Sequence, residues 1–163
     1  MADSILTQNQ AKDLLDYHDG VLYCKVSRSN LKTGAKVGSL HLKGYLRTQI
    51  NKKVYYNHRI IFLMFHGWMP AKIDHIDNNP FNNKIDNLRP ATNVENGQNA
   101  KKRIDNTSGV KGVYWSKRDK KWQVRVQISG KRKSFGYYDN IELADLVAQE
   151  ARTKYHGQYA RHF

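Results

Sequence analysis

Between residues 74 and 99, carboxylate, imidazole and carboxamide groups recur among short apolar anchors. They run Asp74-His75-Ile76-Asp77, an Asn-rich stretch, Ile85-Asp86-Asn87-Leu88-Arg89, and then Thr92-Asn93-Val94-Glu95-Asn96. Asp74 offers carboxylate oxygens and Asn96 an amide oxygen. Such hard donors suit a divalent cation such as Mg²⁺ or Mn²⁺, with water filling the remaining positions. A neutral imidazole is a suitable general base near neutral pH, which makes His75 the candidate base. Asn87 can hydrogen-bond that ring and fix its tautomer and angle. On these residues alone a plainer reading stays open. Asn and Asp are turn formers first, so the cluster can equally be a polar loop with His75 on its surface.

The elements that must position these groups are short. Residues 73–75 suit a strand, on which Asp74 and His75 point to opposite sides unless the strand twists or ends there. Residues 78–83, with Pro80 among them, carry turn chemistry. Residues 88–91 suit a returning strand. Thr92 is then a helix N-cap, and Glu95 three residues on completes a capping box. The expected unit is strand, loop, strand, helix, with Asp74, His75, Asn87 and Asn96 converging.

The run His58-Arg59, Asp74-His75-Ile76-Asp77, Asn82-Asn83, Asn87-Leu88-Arg89, Thr92, Asn96 and Asn99 resembles the HNH endonuclease motif. It is most similar to the zinc-free homing and nicking HNH enzymes common in bacteriophages. The resemblance covers residues 58–99 and implies a ββα-metal finger. It implies that Asp74 and Asn96 bind one divalent ion, Mg²⁺ with Mn²⁺ as the alternative. It further implies that His75 activates water, that Asn87 orients His75, and that His58 is structural. Asn96 stands where many HNH proteins have a final His, which makes the set His-Asn-Asn. The Cys pairs that hold a structural zinc in some HNH proteins are not present.

Charge supports a polyanionic partner. Lys and Arg number 28 against 14 Asp and Glu, a net charge of +14. The distribution is uneven: +7 over residues 1–73, −2 over 74–100, +10 over 101–137 and −1 over 138–163. A metal site needs local negative charge, and a phosphate-backbone binder needs positive charge around it. A generally basic surface does not account for this segregation. No long apolar run and no secretory or lipidation signal is seen, which disfavours a membrane partner. Cys24 is the single cysteine, so no disulfide framework is expected, and an intracellular setting is the simplest inference.

Upstream of the motif, residues 4–16 read as a short helix capped by Ser4 or Thr7. Residues 20–26 read as a strand after a turn, and 27–39 as a basic loop. Residues 45–50 and 54–56 form a hairpin pattern; Arg47, Gln49 and Lys53 on it suit an exposed strand face better than a DNA contact. Residues 58–65 suit a buried helix stopped at Gly67, with Ile61, Phe62 and Phe65 as core.

Downstream, Lys101-Lys102-Arg103 followed by Asp105-Asn106-Thr107-Ser108-Gly109 reads as a break between domains that can also track a phosphate backbone. Residues 110–115, 122–128 and 132–137 read as three antiparallel strands. Ala144, Ala148, Ala151 and Tyr155 fall on one face of a following helix. The open sheet face would carry Gln123, Arg125, Gln127 and Arg132. The sequences Gly109-Val110-Lys111-Gly112-Val113-Tyr114, Lys121-Trp122 and Phe135-Gly136-Tyr137-Tyr138-Asp139, with the Ala-rich helix and His156-Gly157 to Phe163, resemble the APETALA/ethylene-response-factor DNA-binding domain. That resemblance implies a sheet laid in the major groove, with Lys111, Tyr114, Ser116, Arg118, Arg125, Gln127, Arg132 and Ser134 facing DNA.

The expected architecture is therefore α+β in three parts. Residues 1–56 carry an N-terminal helix and hairpin, 57–103 the HNH unit, and 104–163 a three-stranded sheet backed by one helix. The expected function is a metal-dependent endonuclease acting on double-stranded DNA, as a monomer. The alternatives are a non-catalytic, sequence-specific DNA-binding regulator and, fitting the charge but neither motif, an RNA-binding protein.

Overall fold

A computed structural model describes residues 6–27, 31–42 and 44–162. Ser4, expected as a helix cap, lies outside the described residues, as do part of the 27–39 segment and Phe163. The fold mixes helix and sheet, in keeping with the α+β expectation. The chain divides into two compact units, residues 1–91 and 92–163.

In the first unit, α1 (Gln8–Leu14) starts at Thr7, whose side chain and that of Gln10 form a reciprocal capping box. The helix is shorter than expected, because Leu15 already pairs with Cys24. Strands β1 (Leu15–His18) and β2 (Val21–Cys24) form a hairpin across Asp19-Gly20, both at positive φ, and β3 (Lys36–Val37) adds to β2. Two central residues at positive φ are what a two-residue hairpin turn requires, and Gly20 supplies one without strain. Strand β4 (Ser39–Leu40) joins the expected hairpin, β5 (Leu46–Ile50) with β6 (Lys53–Tyr56), so 36–37 and 39–40 are paired strands rather than loop.

Helix α2 (Asn57–His66) ends as expected on Gly67, which is left-handed at φ 75. Ile60, Ile61, Phe62, Leu63 and Met64 are all buried and form the core with Ala11, Leu15, Leu22, Val37 and Ile50. Phe65, expected inside, is 48% exposed; its ring meets Tyr17 edge-on at the rim. Buried Asn57 ties three elements together. Its Oδ1 accepts from Thr48 Oγ1 at 2.6 Å, and its Nδ2 donates to the Val37 carbonyl at 2.9 Å. Strands β7 (Lys72–His75) and β8 (Leu88–Ala91) close the unit as an antiparallel pair, with Asp74 opposite Arg89 and His75 opposite Leu88.

The second unit opens with α3 (Asn93–Gln98), capped by Thr92 and Glu95 as the sequence leads one to expect. Strands β9 (Val113–Ser116), β10 (Lys121–Ile128) and β11 (Lys131–Tyr138) form an antiparallel sheet in the order β11-β10-β9. Helix α4 (Ile141–His156) lays Ala144, Ala148 and Ala151 against Val113, Val124 and Val126. Tyr155, expected on that face, is 40% exposed, and its ring meets that of Phe135. The segment 101–109, expected as a break, is folded onto this unit. Lys102 Nζ donates to the Gly109 carbonyl, and Ser108 Oγ donates to the Val113 carbonyl at 2.7 Å.

Candidate functional site

Asp74 and His75 are neighbours at the end of β7, and both are buried. Asp74 Oδ2 accepts from Arg89 Nε at 2.9 Å and Nη2 at 2.8 Å, a pair formed directly across the β7–β8 ladder. His75 Nε2 lies 3.0 Å from Asn83 Oδ1, and both residues are inside the protein. The His75 ring meets His58 edge-on at 5.2 Å, and His58 stacks on Tyr56 and packs beside Tyr45. Burial, then the field of His75 and of Arg59, pull the His58 imidazole down to about 3. His58 is therefore neutral at physiological pH and serves as a packing surface for His75.

The loop between the strands is organised on Asp77. Its Oδ1 accepts from the Asn79 N–H at 2.8 Å and from Asn87 Nδ2 at 2.9 Å; its Oδ2 accepts from Asn82 Nδ2 at 2.7 Å. Burial raises the Asp77 carboxyl, but the hydrogen bonds from Asn79, Asn82 and Asn87, with the nearby His75, outweigh it and hold the group below its usual range. Asn87 is engaged at both ends. Nδ2 also donates to the Asn82 carbonyl, and Oδ1 accepts from the Asp77 N–H. The resemblance assigns Asn87 to the His75 ring, whereas in the structure the Nε2 of that ring meets the side-chain oxygen of Asn83. Asn87 shapes the loop that carries Asn83.

Asn96 sits half-exposed on α3, in the second unit, whereas Asp74, His75 and Asn87 belong to the first. The carboxylate of Asp74 and the amide of Asn96 are each an oxygen donor of the kind Mg²⁺ or Mn²⁺ takes. The Arg89 guanidinium on Oδ2 is a competitor for the same carboxylate. Among the described residues, no three His, Cys, Asp or Glu side chains cluster as a metal site.

In the second unit, one face of the sheet collects Tyr114, Gln123, Arg125, Gln127, Arg132 and Ser134. The pairs Gln123–Tyr114, Arg125–Ser134 and Gln127–Arg132 stand side by side in the ladder. Arg125 lies over the Tyr114 ring, 5.9 Å from its centre. Gln123 is buried, its amide donating to Ser134 Oγ and to Tyr137 Oη at 2.8 Å. Tyr137 thus belongs to the same face, though strict alternation from Arg132 and Ser134 would place Gly136 there. A bulge at Gly136, φ 112, adds one residue to β11 and turns Tyr137 outward.

The remaining expected DNA contacts are placed differently. Ser116 and Arg118 lie at the β9–β10 turn, both bonded to Asp119. Lys101 and Lys102 are exposed. Lys111 folds inward: Nζ donates to the carbonyls of Gln98 at 2.9 Å and Ala100 at 2.7 Å, at the end of α3. Burial, with Arg152 and Arg161 nearby, lowers its ammonium to about 8. Its work is to hold the C-terminal carbonyls of α3.

Residues 55–98 match the family model described as HNH endonuclease. Over 89 residues the chain is 44% identical to Protein 3.8 of Escherichia phage T7, an alignment that covers 55% of this chain and 73% of the relative. No solved structure matches. At that identity and coverage the chain belongs to the same family as Protein 3.8 of phage T7, and it carries an HNH endonuclease domain at residues 55–98.

Proposed function

We propose that the protein is a metal-dependent HNH endonuclease, of homing or nicking type, that hydrolyses phosphodiester bonds in double-stranded DNA inside the phage-infected cell and acts as a monomer. The observation that carries this reading is the fixed His75 ring. It is buried, hydrogen-bonded at Nε2 and packed against a neutral His58, with Asp74 beside it on β7, inside the stretch that matches the HNH model. A polar loop that merely turned the chain would have no need to bury and orient an imidazole.

In this mechanism His75 takes the proton from the attacking water. Asp74 and Asn96 would be the oxygen donors for one divalent ion, Mg²⁺ or Mn²⁺, whose charge would offset that building up on the phosphate. Arg89 keeps the Asp74 carboxylate oriented, and Asn87 fixes the loop through Asp77. The three-stranded sheet with its backing helix, in the manner of an ethylene-response-factor domain, holds the DNA through its polar face. Lys101 and Lys102 add contacts to the phosphate backbone.

The test is purified protein on supercoiled plasmid with Mg²⁺, Mn²⁺ or EDTA. Nicked or linear product with the metals and none with EDTA is expected, and Asp74→Ala is expected to cleave nothing while still binding DNA. Tight DNA binding without cleavage under every metal condition would instead identify a DNA-binding regulator.

A further inference from the structure

We infer that Asn83, braced from behind by the tip of the N-terminal β1–β2 hairpin, is the positioning residue of His75. The inference rests on the reading of His75 as the general base. Asn83 is 2% exposed, and its side-chain oxygen faces His75 Nε2 at 3.0 Å. An amide oxygen only accepts, so the nitrogen facing it carries the proton in the neutral ring. That places the basic lone pair on Nδ1. A ring free to exchange tautomers would spend part of its time with the proton on the wrong nitrogen.

The path of the chain through Asn83 is fixed from two directions. On one side stands the Asp77 hub, through Asn82 and Asn87. On the other stands a hairpin more than sixty residues earlier in the chain. Tyr17 Oη accepts from the Ile85 N–H at 3.1 Å, and Asp19 pairs with Lys84 at 2.8 Å. The hairpin tip itself presses on the same backbone. A β-carbon on Gly20 would lie 2.8 Å from the Lys84 nitrogen and 3.1 Å from the Asn83 carbonyl carbon, both main-chain atoms. Gly20 is at φ 85, so glycine serves both the turn and the close approach. The N-terminal hairpin, outside the matched HNH residues, is thus part of the scaffold that sets the base.

The experiment reads the His75 tautomer by long-range ¹H–¹⁵N correlation in histidine-labelled full-length protein at neutral pH, alongside cleavage kinetics. Wild type should show the proton on Nε2. Asn83→Ala should give a mixed tautomer and a kcat lower by roughly 10- to 100-fold, by analogy with loss of the hydrogen-bond partner behind a metal-ligating histidine, with KM for DNA unchanged. Asn83→Asp, which restores an acceptor oxygen, should recover the Nε2–H tautomer and most of the rate. Gly20→Ala should mimic Asn83→Ala. Tyr17→Phe, which keeps the ring and the fold but loses the acceptor for Ile85, should move both readouts in the same direction by less. An unchanged tautomer in Asn83→Ala, with or without a loss of rate, overturns the proposal. If wild type cleaves no DNA, the reading of His75 as a base fails, while the tautomer still decides whether Asn83 sets the ring.

Discussion

The two units use polar side chains in opposite ways. In the first, two of the groups assigned to chemistry are inside the protein and each is held by a neighbour: Asp74 by Arg89 and His75 by Asn83. In the second, the groups assigned to DNA stand on an open sheet face. Gln123 on that face is buried, and two other buried polar residues of this unit are structural: Arg152 donates to the Lys111 carbonyl, and His156 Nε2 is 2.7 Å from the Gln127 carbonyl. Cleavage needs reacting groups fixed to a fraction of an ångström, and only a packed interior provides that. Reading a duplex needs reach and exposed charge, which an interior would remove.

The contrast is sharpened or broken by substitution. The largest effect is expected at His75. His75→Ala should slow cleavage by about 10²–10⁴-fold without weakening DNA binding, as measured by single-turnover cleavage and a gel-shift titration; parallel losses in both would erase the division of labour. Next is Arg89→Ala. Breaking a buried pair costs about 3–5 kcal/mol, and divalent metal should recover part of that loss by taking the carboxylate that Arg89 held. Urea unfolding with and without Mg²⁺ reads both effects. Replacement of Arg125 or Arg132 by Ala should leave the fold intact and cost about 1–3 kcal/mol of discrimination between a preferred and an unrelated duplex, seen in competition binding. Lys111→Ala, by contrast, should lower stability and leave site preference as it was.

A further prediction is a pH dependence confined to the first unit. His58 titrates near 6.5 in the unfolded chain and at about 3 in the fold. The unfolded chain therefore binds the extra proton over that interval, and the folded state does not. Stability from this residue is complete above pH 6.5 and declines as pH falls towards 3, with a slope approaching about 1.4 kcal/mol per pH unit. His58→Phe should flatten that slope in urea unfolding measured from pH 7 to 4. An unchanged slope would mean that the ring is not held neutral.

Much of the site was legible because its signals are local. The Thr92–Glu95 capping box, the Gly67 stop, the Asp74-His75 strand and the alternation of Gln123, Arg125 and Gln127 each depend on a few adjacent residues. What escaped depends on distant ones. Five asparagines lie between residues 78 and 87, and which of them reaches His75 is decided by the Asp77 hub and by Tyr17 and Gly20. The HNH resemblance pointed to Asn87; the folded loop turns that amide onto Asp77. Tyr137 was hidden by a bulge that breaks strict alternation, with Gly136 as its only sequence trace. Lys111 looked like one more cation in a basic stretch. Nothing local says that it folds back on the Gln98 and Ala100 carbonyls. The expected first helix ran too far because Leu15 finds a strand partner in Cys24, and pairing of that kind outweighs helical propensity.

Strand β11 lies at one side of the C-terminal sheet, and its first four residues, Lys131, Arg132, Lys133 and Ser134, are exposed. An outer strand of this kind is a template on which another copy could add a strand, the usual beginning of sheet-to-sheet aggregation. Here a second copy would have to bring three cations against three. The charge proposed to draw this sheet to a phosphate backbone would therefore also keep molecules crowded along one duplex from joining edge to edge. Salt weakens both effects through the same screening, so the ionic strength that releases the protein from DNA is also the one at which its solubility rests least on charge.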